Sequence, residues 1–489
     1  MSAANPPLCP RLAPLPLLAL VPLLAGCAAV GPDWHGPPAA APVAAARSAF
    51  LRAGADTAPT SPASQGQNAR WWQALGDPVL NDLEATALAG SPDLAAAQAR
   101  IGSARAALTG TRAAMAPSAS GGATFAEASL PGAVLGRDGR LSEQIYADNF
   151  QSSWELDLFG ATRRRVESAT GRATAAEASA GDVAVAISAE VARVYVALRA
   201  QQASVALLDR QVACDQRLLA HAEARLAGGT APRQGVDAAH QALAQSQADL
   251  AAARTEVTTL ADQLAVLTGR EPGTLDDLAR HPAPMPAVPA TIAVGDPAQL
   301  LRQRPDIRAA EAQLAAATAD VGARMADRLP KISFTGILGL GGTAPVDAVS
   351  PSSLLALLAP QIKWSLLDGG RGAAQVRGAR AARDEAEATY RSHVLAALND
   401  AEGALARFGS QRVALAKAVE QRDAARSTAA LQASRASGGT LSQADALSAE
   451  RQGIRATLAT ITAQAQLTTG FIAVEKALGL GWETPRRPD

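Results

Sequence analysis

The residue with the most definite chemistry is Cys27. It closes the stretch Leu24-Ala25-Gly26-Cys27, after Arg11 and an apolar run from Leu12 to Ala25. A short apolar stretch behind one positive charge reads as a secretory signal, too short for a membrane span. Pro14, Pro16 and Pro22 make it a poor continuous helix, which fits removal rather than anchoring. Small residues ahead of a cysteine match the bacterial lipobox, in which the thiol is diacylated and the cysteine becomes the new N-terminus. The acyl chains then hold the chain to a membrane. The bland alternative is an ordinary signal with an incidental cysteine. Loss of residues 1–26 removes Cys9 and lipidation uses Cys27, so Cys214 has no disulfide partner. Cys214 lies in a helical pattern with no His or CxxC neighbour and reads as a small helix-surface residue.

Other chemistry is thin. His35, His221, His240, His281 and His393 are scattered, and no HExxH, CxxC pair or G-x-S-x-G is present. No catalytic or metal-binding set is expected, and no cofactor beyond the lipid on Cys27. The glycine run at 339–342 stands beside a hairpin loop rather than before a helix, so it does not read as a phosphate cradle. Arg163, Arg164 and Arg165 follow a predicted strand and are expected to face interfacial water or lipid headgroups. Lys+Arg equals Asp+Glu at 45 each. That balance argues against a nucleic-acid binder, which needs a basic face. Aromatics are only 3 % and Ala is abundant. Such a composition suits long, closely packed helices better than one large globular core.

These residues are set out on a chain that reads twice. Ser91-Pro92-Asp93-Leu94 recurs as Arg304-Pro305-Asp306-Ile307. Trp154-Glu155-Leu156 recurs as Trp364-Ser365-Leu366, and Gly228-Gly229-Thr230 as Gly438-Gly439-Thr440. Ordered recurrence at one offset of about 210 residues indicates internal duplication. The sequence divides into a signal (1–26), a Pro/Ala/Ser-rich lipidated tether (27–70), a first repeat (71–280), a connector (281–296), a second repeat (297–482) and a tail (483–489).

Each repeat carries one predicted β-hairpin, over 118–158 and 331–367. In 143–158, Tyr146, Phe150, Trp154, Leu156 and Leu158 share one parity, while Asn149, Gln151, Ser153 and Glu155 share the other. Ile332 and Phe334 oppose Lys331 and Ser333, and Ile362, Trp364 and Leu366 oppose Gln361, Lys363 and Ser365. Period-2 segments of about ten residues with one apolar face suit a transmembrane β-barrel. The lipid-facing set is then Phe150, Trp154, Leu156, Phe334, Ile362 and Trp364. A soluble hairpin packed on helices is the competing reading. After each hairpin comes a long helical pattern. Val191, Val194, Leu198, Val205, Leu208, Val212 and Leu219 step by 3, 4 and 7, as do Val394, Leu398, Ala401, Leu405, Phe408, Leu415 and Val419. That is a coiled-coil seam. Frequent charge keeps these helices out of a bilayer. A second helix follows each Gly-Gly-Thr turn.

Four strands cannot close into a barrel, and an open edge in lipid leaves unpaired backbone groups. Two copies would give eight strands with a filled interior, and three would give twelve with room for a lumen. The expected fold class is an α+β membrane protein: a transmembrane β-barrel, four strands per protomer and twelve in a homotrimer, continuous with a coiled-coil α-helical barrel.

Several motifs together resemble a known family. They are Cys27-Ala28-Ala29-Val30-Gly31-Pro32-Asp33-Trp34, Trp71-Trp72 with Gly76-Asp77-Pro78, Ser153 to Gly160, Arg304-Pro305-Asp306 and Asp368-Gly369-Gly370-Arg371. They resemble the outer-membrane factors of tripartite efflux, and within them the NodT-type lipoproteins related to TolC and OprM. The resemblance implies a homotrimer anchored in the cell outer membrane and extending into the periplasm. It implies passive export of substrates from an inner-membrane pump, often of the resistance-nodulation-division class, through a periplasmic adaptor. It further implies that Gly228, Gly229, Thr230, Gly438, Gly439 and Thr440 form periplasmic tips where the adaptor docks. Plain helix termination by glycine is the alternative for these turns. The family narrows its entrance with acidic residues after the second tip. Asp445 matches one of them, Ser448 stands where another Asp is usual, and Gly235 replaces the acid of the first half. The gate set is therefore Asp445, Leu441 and Ser448, against the alternative of a solvated surface Asp. Type I protein secretion shares the architecture, and a non-conducting coiled-coil scaffold is the remaining alternative. The substrate is not legible.

Overall fold

The computed structural model describes residues 29–54, 57–59, 69–131 and 140–482. Cys27, the signal and the tail lie outside the described residues. In chain order the elements are α1 (Pro42–Ala45), β1 (Thr57–Pro59), α2 (Pro78–Gly90), α3 (Pro92–Ala113), β2 (Ser118–Pro131), β3 (Arg140–Leu156), α4 (Ala161–Ala227) and α5 (Arg233–Leu267). There follow α6 (Asp276–Arg280), β4 (Ile292–Val294), α7 (Pro297–Gln303), α8 (Pro305–Ala326), β5 (Lys331–Gly342), β6 (Leu354–Lys363), α9 (Arg371–Ser437) and α10 (Gln443–Ala477). The duplication shows in element lengths. α3 and α8 each have 22 residues, α4 and α9 each 67, and α5 and α10 each 35.

Two compact units share these elements. The first holds residues 29–37, 104–173 and 313–387 of those described. Its centre is an antiparallel sheet in the order β2-β3-β5-β6. β6 differs from expectation. It begins at Leu354 and ends at Lys363, so Trp364 and Leu366 fall beyond it. The run Leu354–Ala359 is apolar at every position and carries no alternation to read. After Trp364 the chain turns through Gly369 and Gly370, both at positive φ, into α9.

The second unit holds residues 38–103, 174–312 and 388–482 of those described. Its core gathers Trp71, Trp72, Leu80, Tyr195, Leu198, Leu264 and Phe471, all buried. Trp71 meets Trp72 and Phe471 edge-on, at centroid distances of 5.9 and 6.0 Å. The expected seam is buried at Val191, Val194, Leu198, Val394, Ala401, Leu405 and Phe408, half-buried at Leu398, and half-buried from Val205 and Leu415 onward. Asp77 accepts from the backbone of Val79 and Leu80 at the start of α2. The Tyr195 hydroxyl donates to the same carboxylate at 2.7 Å.

Two expectations change here. The segment expected to be a tether is docked where it is described. β1 pairs in parallel with β4, and Glu402 accepts the backbone N–H groups of Leu51 and Arg52. Cys214 is buried, not on a helix surface, and its thiol lies 3.2 Å from the Leu447 carbonyl. Its partner comes from α10 in the other repeat, which helical periodicity within α4 cannot reveal.

Candidate functional site

The sheet sorts its side chains by register. Trp154 lies opposite Phe334, and Phe334 opposite Pro360; Leu156 lies opposite Ile332, and Ile332 opposite Ile362; Phe150 lies opposite Leu338. All share one face, because side chains opposite each other in a ladder point the same way. Phe150 is 63 % exposed and Ile362 72 %, while Leu156 and Phe334 are half-buried. The opposite face carries Ser118, Ser153 and Thr335 in one row, with Glu155, Ser333 and Gln361 in the next. The separation is not complete. Asp148 and Ser152 share the Trp154 face, and Leu355 and Leu357 share the polar one.

Aromatic pairs mark two levels on the apolar face. Trp154 stacks on Phe334 at 6.4 Å, and Phe125 meets Tyr146 at 5.0 Å. Eight residues of β3 separate the two levels. At a rise of about 3.3 Å per residue that is roughly 26 Å of strand. Strands tilted by about 40° turn this into roughly 20 Å of height, close to the ~25 Å apolar band of outer-membrane barrels. Both repeats tie this level to the turn that follows the helix before the hairpin. Trp154 donates its indole N–H to the Met115 carbonyl, and Trp364 to the Arg328 carbonyl, each at 3.1 Å. Trp364 thus serves the same junction as Trp154 from just outside its strand, and is 54 % exposed.

Below the sheet the three consecutive arginines do not face water as a group. Arg163 pairs with Asp157 at 3.5 Å, Arg165 pairs with Asp327, and Arg164 is only 4 % exposed. Burial alone would raise the Asp327 carboxyl, but Lys331 and Arg165 outweigh it and hold that carboxyl below its ordinary range. No charge pattern within Arg163-Arg164-Arg165 could have shown this. The partners of Arg164 and Arg165 that decide it lie more than 100 residues away.

The tips are built from one motif used twice. Gly229 has φ +67 and Gly439 φ +73. The Gly229 N–H donates to Leu226 O and the Thr230 N–H to Arg225 O; Gly439 and Thr440 repeat this to Ala436 O and Arg435 O. This is a complete Schellman C-cap, which uses the carbonyls a helix end leaves free. Each threonine hydroxyl adds a second bond to the same arginine carbonyl, at 3.0 Å. Gly228, Gly229, Thr230, Gly438, Gly439 and Thr440 are all exposed.

The helices that follow start differently. Pro232 precedes α5 and offers no side-chain cap. Ser442 caps α10: its Oγ accepts from the Asp445 N–H at 3.1 Å, and its hydroxyl donates to Asp445 Oδ2 at 2.6 Å. Asp445 thus has a local structural duty as partner of the Ser442 cap. Leu441, Asp445 and Ser448 nevertheless share one groove wall, across from Thr428 and Gln432 of α9. Nearby, α4 is tied to α10 by Asp215 with Arg451 at 3.3 Å and by Arg217 with Glu450 at 2.8 Å.

The same two-repeat layout is found in known proteins. The family of outer membrane efflux proteins matches over residues 83–270 and 297–480, one stretch in each repeat. The chain is similar to nodulation protein T of Rhizobium leguminosarum bv. trifolii, at 28 % identity over 439 residues that cover 88 % of this chain and 89 % of that one. It is similar to the toluene efflux pump outer membrane protein TtgI of Pseudomonas putida, at 29 % over 470 residues, covering 96 % and 98 %. Among solved structures, the outer-membrane channel OprN aligns with a TM-score of 0.79 at 32 % identity, covering 93 % of this chain and 99 % of that chain.

Proposed function

The chain belongs to the outer membrane efflux protein family and is an outer-membrane efflux channel, and on that premise we propose that it is the exit duct of a tripartite assembly. Three copies close a twelve-stranded barrel, and an inner-membrane pump delivers substrate to it through a periplasmic adaptor. The observation that carries this reading is the sheet: one face largely apolar between two aromatic levels, the other largely polar. Among the described residues the outer edges of β2 and β6 pair with no further strand, and such a sheet suits lipid only after closure with further copies. Cys27 carries the lipid that holds the N-terminus at the membrane.

The tips dock the adaptor. Their support is exposure and open space, since a Cβ at Gly229 or Gly439 would meet nothing within 4 Å. Leu441, Asp445 and Ser448 form the entrance constriction, and symmetry-related Asp445 carboxylates would favour cations there.

The test is ion conductance of the purified full-length protein in a planar bilayer. Wild type should give steady conductance and Asp445→Ala a larger one. Ser442→Ala separates charge from capping, because it breaks the reciprocal cap and leaves the carboxylate in place. A rise in Asp445→Ala that Ser442→Ala does not reproduce assigns the constriction to the charge. No conductance in any of the three would overturn the duct.

A further inference from the structure

Residues 29–33 follow Cys27 closely, and within the sheet-bearing unit they are seated in a site built around one buried guanidinium. Arg164 stands in the first turn of α4 and is 4 % exposed. Its Nε–H reaches the Val30 carbonyl at 3.3 Å. Its Nη2 reaches the carbonyls of Ala29 and Gly31 at 3.4 Å each, and Asp33 Oδ1 at 2.6 Å. Nη1 donates to Glu167 at 2.8 Å, which fixes the plane of the group. The Val30 N–H in turn donates to Phe159 O at 3.0 Å.

One guanidinium that addresses three consecutive carbonyls and a carboxylate of the same segment is using its fork of donors to hold a peptide. Gly160 and Gly322 line the seat at close approach to the segment. A Cβ on Gly31 would strike the backbone of Gly322, one on Gly322 would lie 2.9 Å from the Val30 oxygen, and one on Gly160 would strike Ala29. Gly31 also has φ +106, a conformation that other residues rarely adopt.

We propose that Arg164, with Gly160 and Gly322, is a receptor for the segment directly behind the acylated cysteine, and that it fixes the lipid at one point beside the base of the sheet. The proposal rests on the reading of Cys27 as lipidated. Consecutive Cα atoms are about 3.8 Å apart, so the Cys27 Cα lies within about 7.6 Å of that of Ala29. An anchor on so short a span cannot roam as one on a long flexible linker would. Membrane attachment and sheet insertion then act as one body, the second event following at high effective concentration.

The test uses the full-length protein expressed in a Gram-negative cell. Arg164→Gln removes the guanidinium fork and its charge. Gly31→Ala unseats the segment while leaving the receptor untouched, so it serves even where Arg164→Gln folds poorly. Both variants should incorporate palmitate as wild type does. Both should lose protection from hydrogen exchange at Val30 by about tenfold or more, and should yield less outer-membrane oligomer. The same two changes are then made in Cys27→Ser behind a cleavable non-lipoprotein signal. Without a lipid to position, neither should lower oligomer yield further, although exchange at Val30 should still rise. Unchanged exchange in both variants would overturn the receptor. Equal losses of oligomer with and without the lipid would overturn the positioning role and reduce Arg164 to a support of the fold. Wild type without palmitate would overturn the lipid reading and the anchor role with it, while exchange at Val30 would report the seat separately.

Discussion

The two tips leave their long helices by the same device and enter the next helices by different ones. Gly229 and Gly439 share one left-handed cap with the same hydrogen bonds. Beyond it, Ser442 and Asp445 cap α10 reciprocally, whereas Pro232 and Gly235 at the matching positions give α5 nothing comparable. The exit is a backbone problem that any helix end must solve, so duplication preserves the glycine at both sites. The re-entry is a side-chain choice, and there the halves have diverged. The same contrast recurs deeper in the helices. Position 475 in α10 is a buried Glu, and its counterpart 210 residues earlier in α5 is the buried Ala265.

The largest expected effect tests what the tips share. Valine at Gly229 or at Gly439 must adopt positive φ with a β-branched side chain, at a cost of at least about 1–2 kcal/mol. Each variant should raise hydrogen exchange in the last turn of its helix about tenfold. On the docking proposal, each should also weaken adaptor crosslinking. Damage confined to one tip would show that the shared cap is not what matters.

Next comes the buried carboxyl. Burial pushes Glu475 up to about 8, from an ordinary value of 4.5. The folded chain therefore binds a proton there that the unfolded chain releases near pH 4.5. By linkage this lowers stability as pH rises from about 4.5 to 8. Glu475→Gln should remove that slope, so thermal melts of variant and wild type should diverge as pH rises, with the variant the more stable at about pH 8. Parallel melts across the range would contradict the buried, protonated state. Ala265 gives the matching position of α5 no such dependence.

The smallest effect concerns re-entry. Ser442→Ala should cost α10 about 1 kcal/mol, which reads as roughly fivefold faster exchange in its first turn. Pro232→Ser should move the first tip toward the second, slowing exchange in the first turn of α5. No change in either would mean that the caps do not distinguish the tips.

Much of this architecture was legible because it is local. Period-2 parity in β3 and β5, the heptad steps of α4 and α9, and the Gly-Gly-Thr turns each depend on neighbours within a few residues. β6 is legible only in part, because Leu354–Ala359 is apolar on both faces and periodicity has nothing to detect there. Parity places Trp364 in a strand, but its indole bond to Arg328 belongs to a junction just outside. Arg164 looked like one of three similar cations, and nothing in its surroundings along the chain distinguishes a buried clamp from a surface charge.

By itself, then, the sequence determined the elements, their duplication and the two-faced character of the hairpins, since these follow from the spacing of side chains along one strand or helix. Only the tertiary structure decided which side chains are committed to a partner. It put Cys214 against Leu447, gave Asp445 to Ser442, and closed Arg164 around Ala29, Val30, Gly31 and Asp33. Cys214 and Arg164 meet partners that lie more than 100 residues away, which sequence spacing cannot reveal. Ser442 and Asp445 are only three residues apart, but their bond depends on a helix starting at that residue and on the rotamers both side chains adopt. Residue type sets what a group can bind; the fold sets what stands within about 3 Å of it.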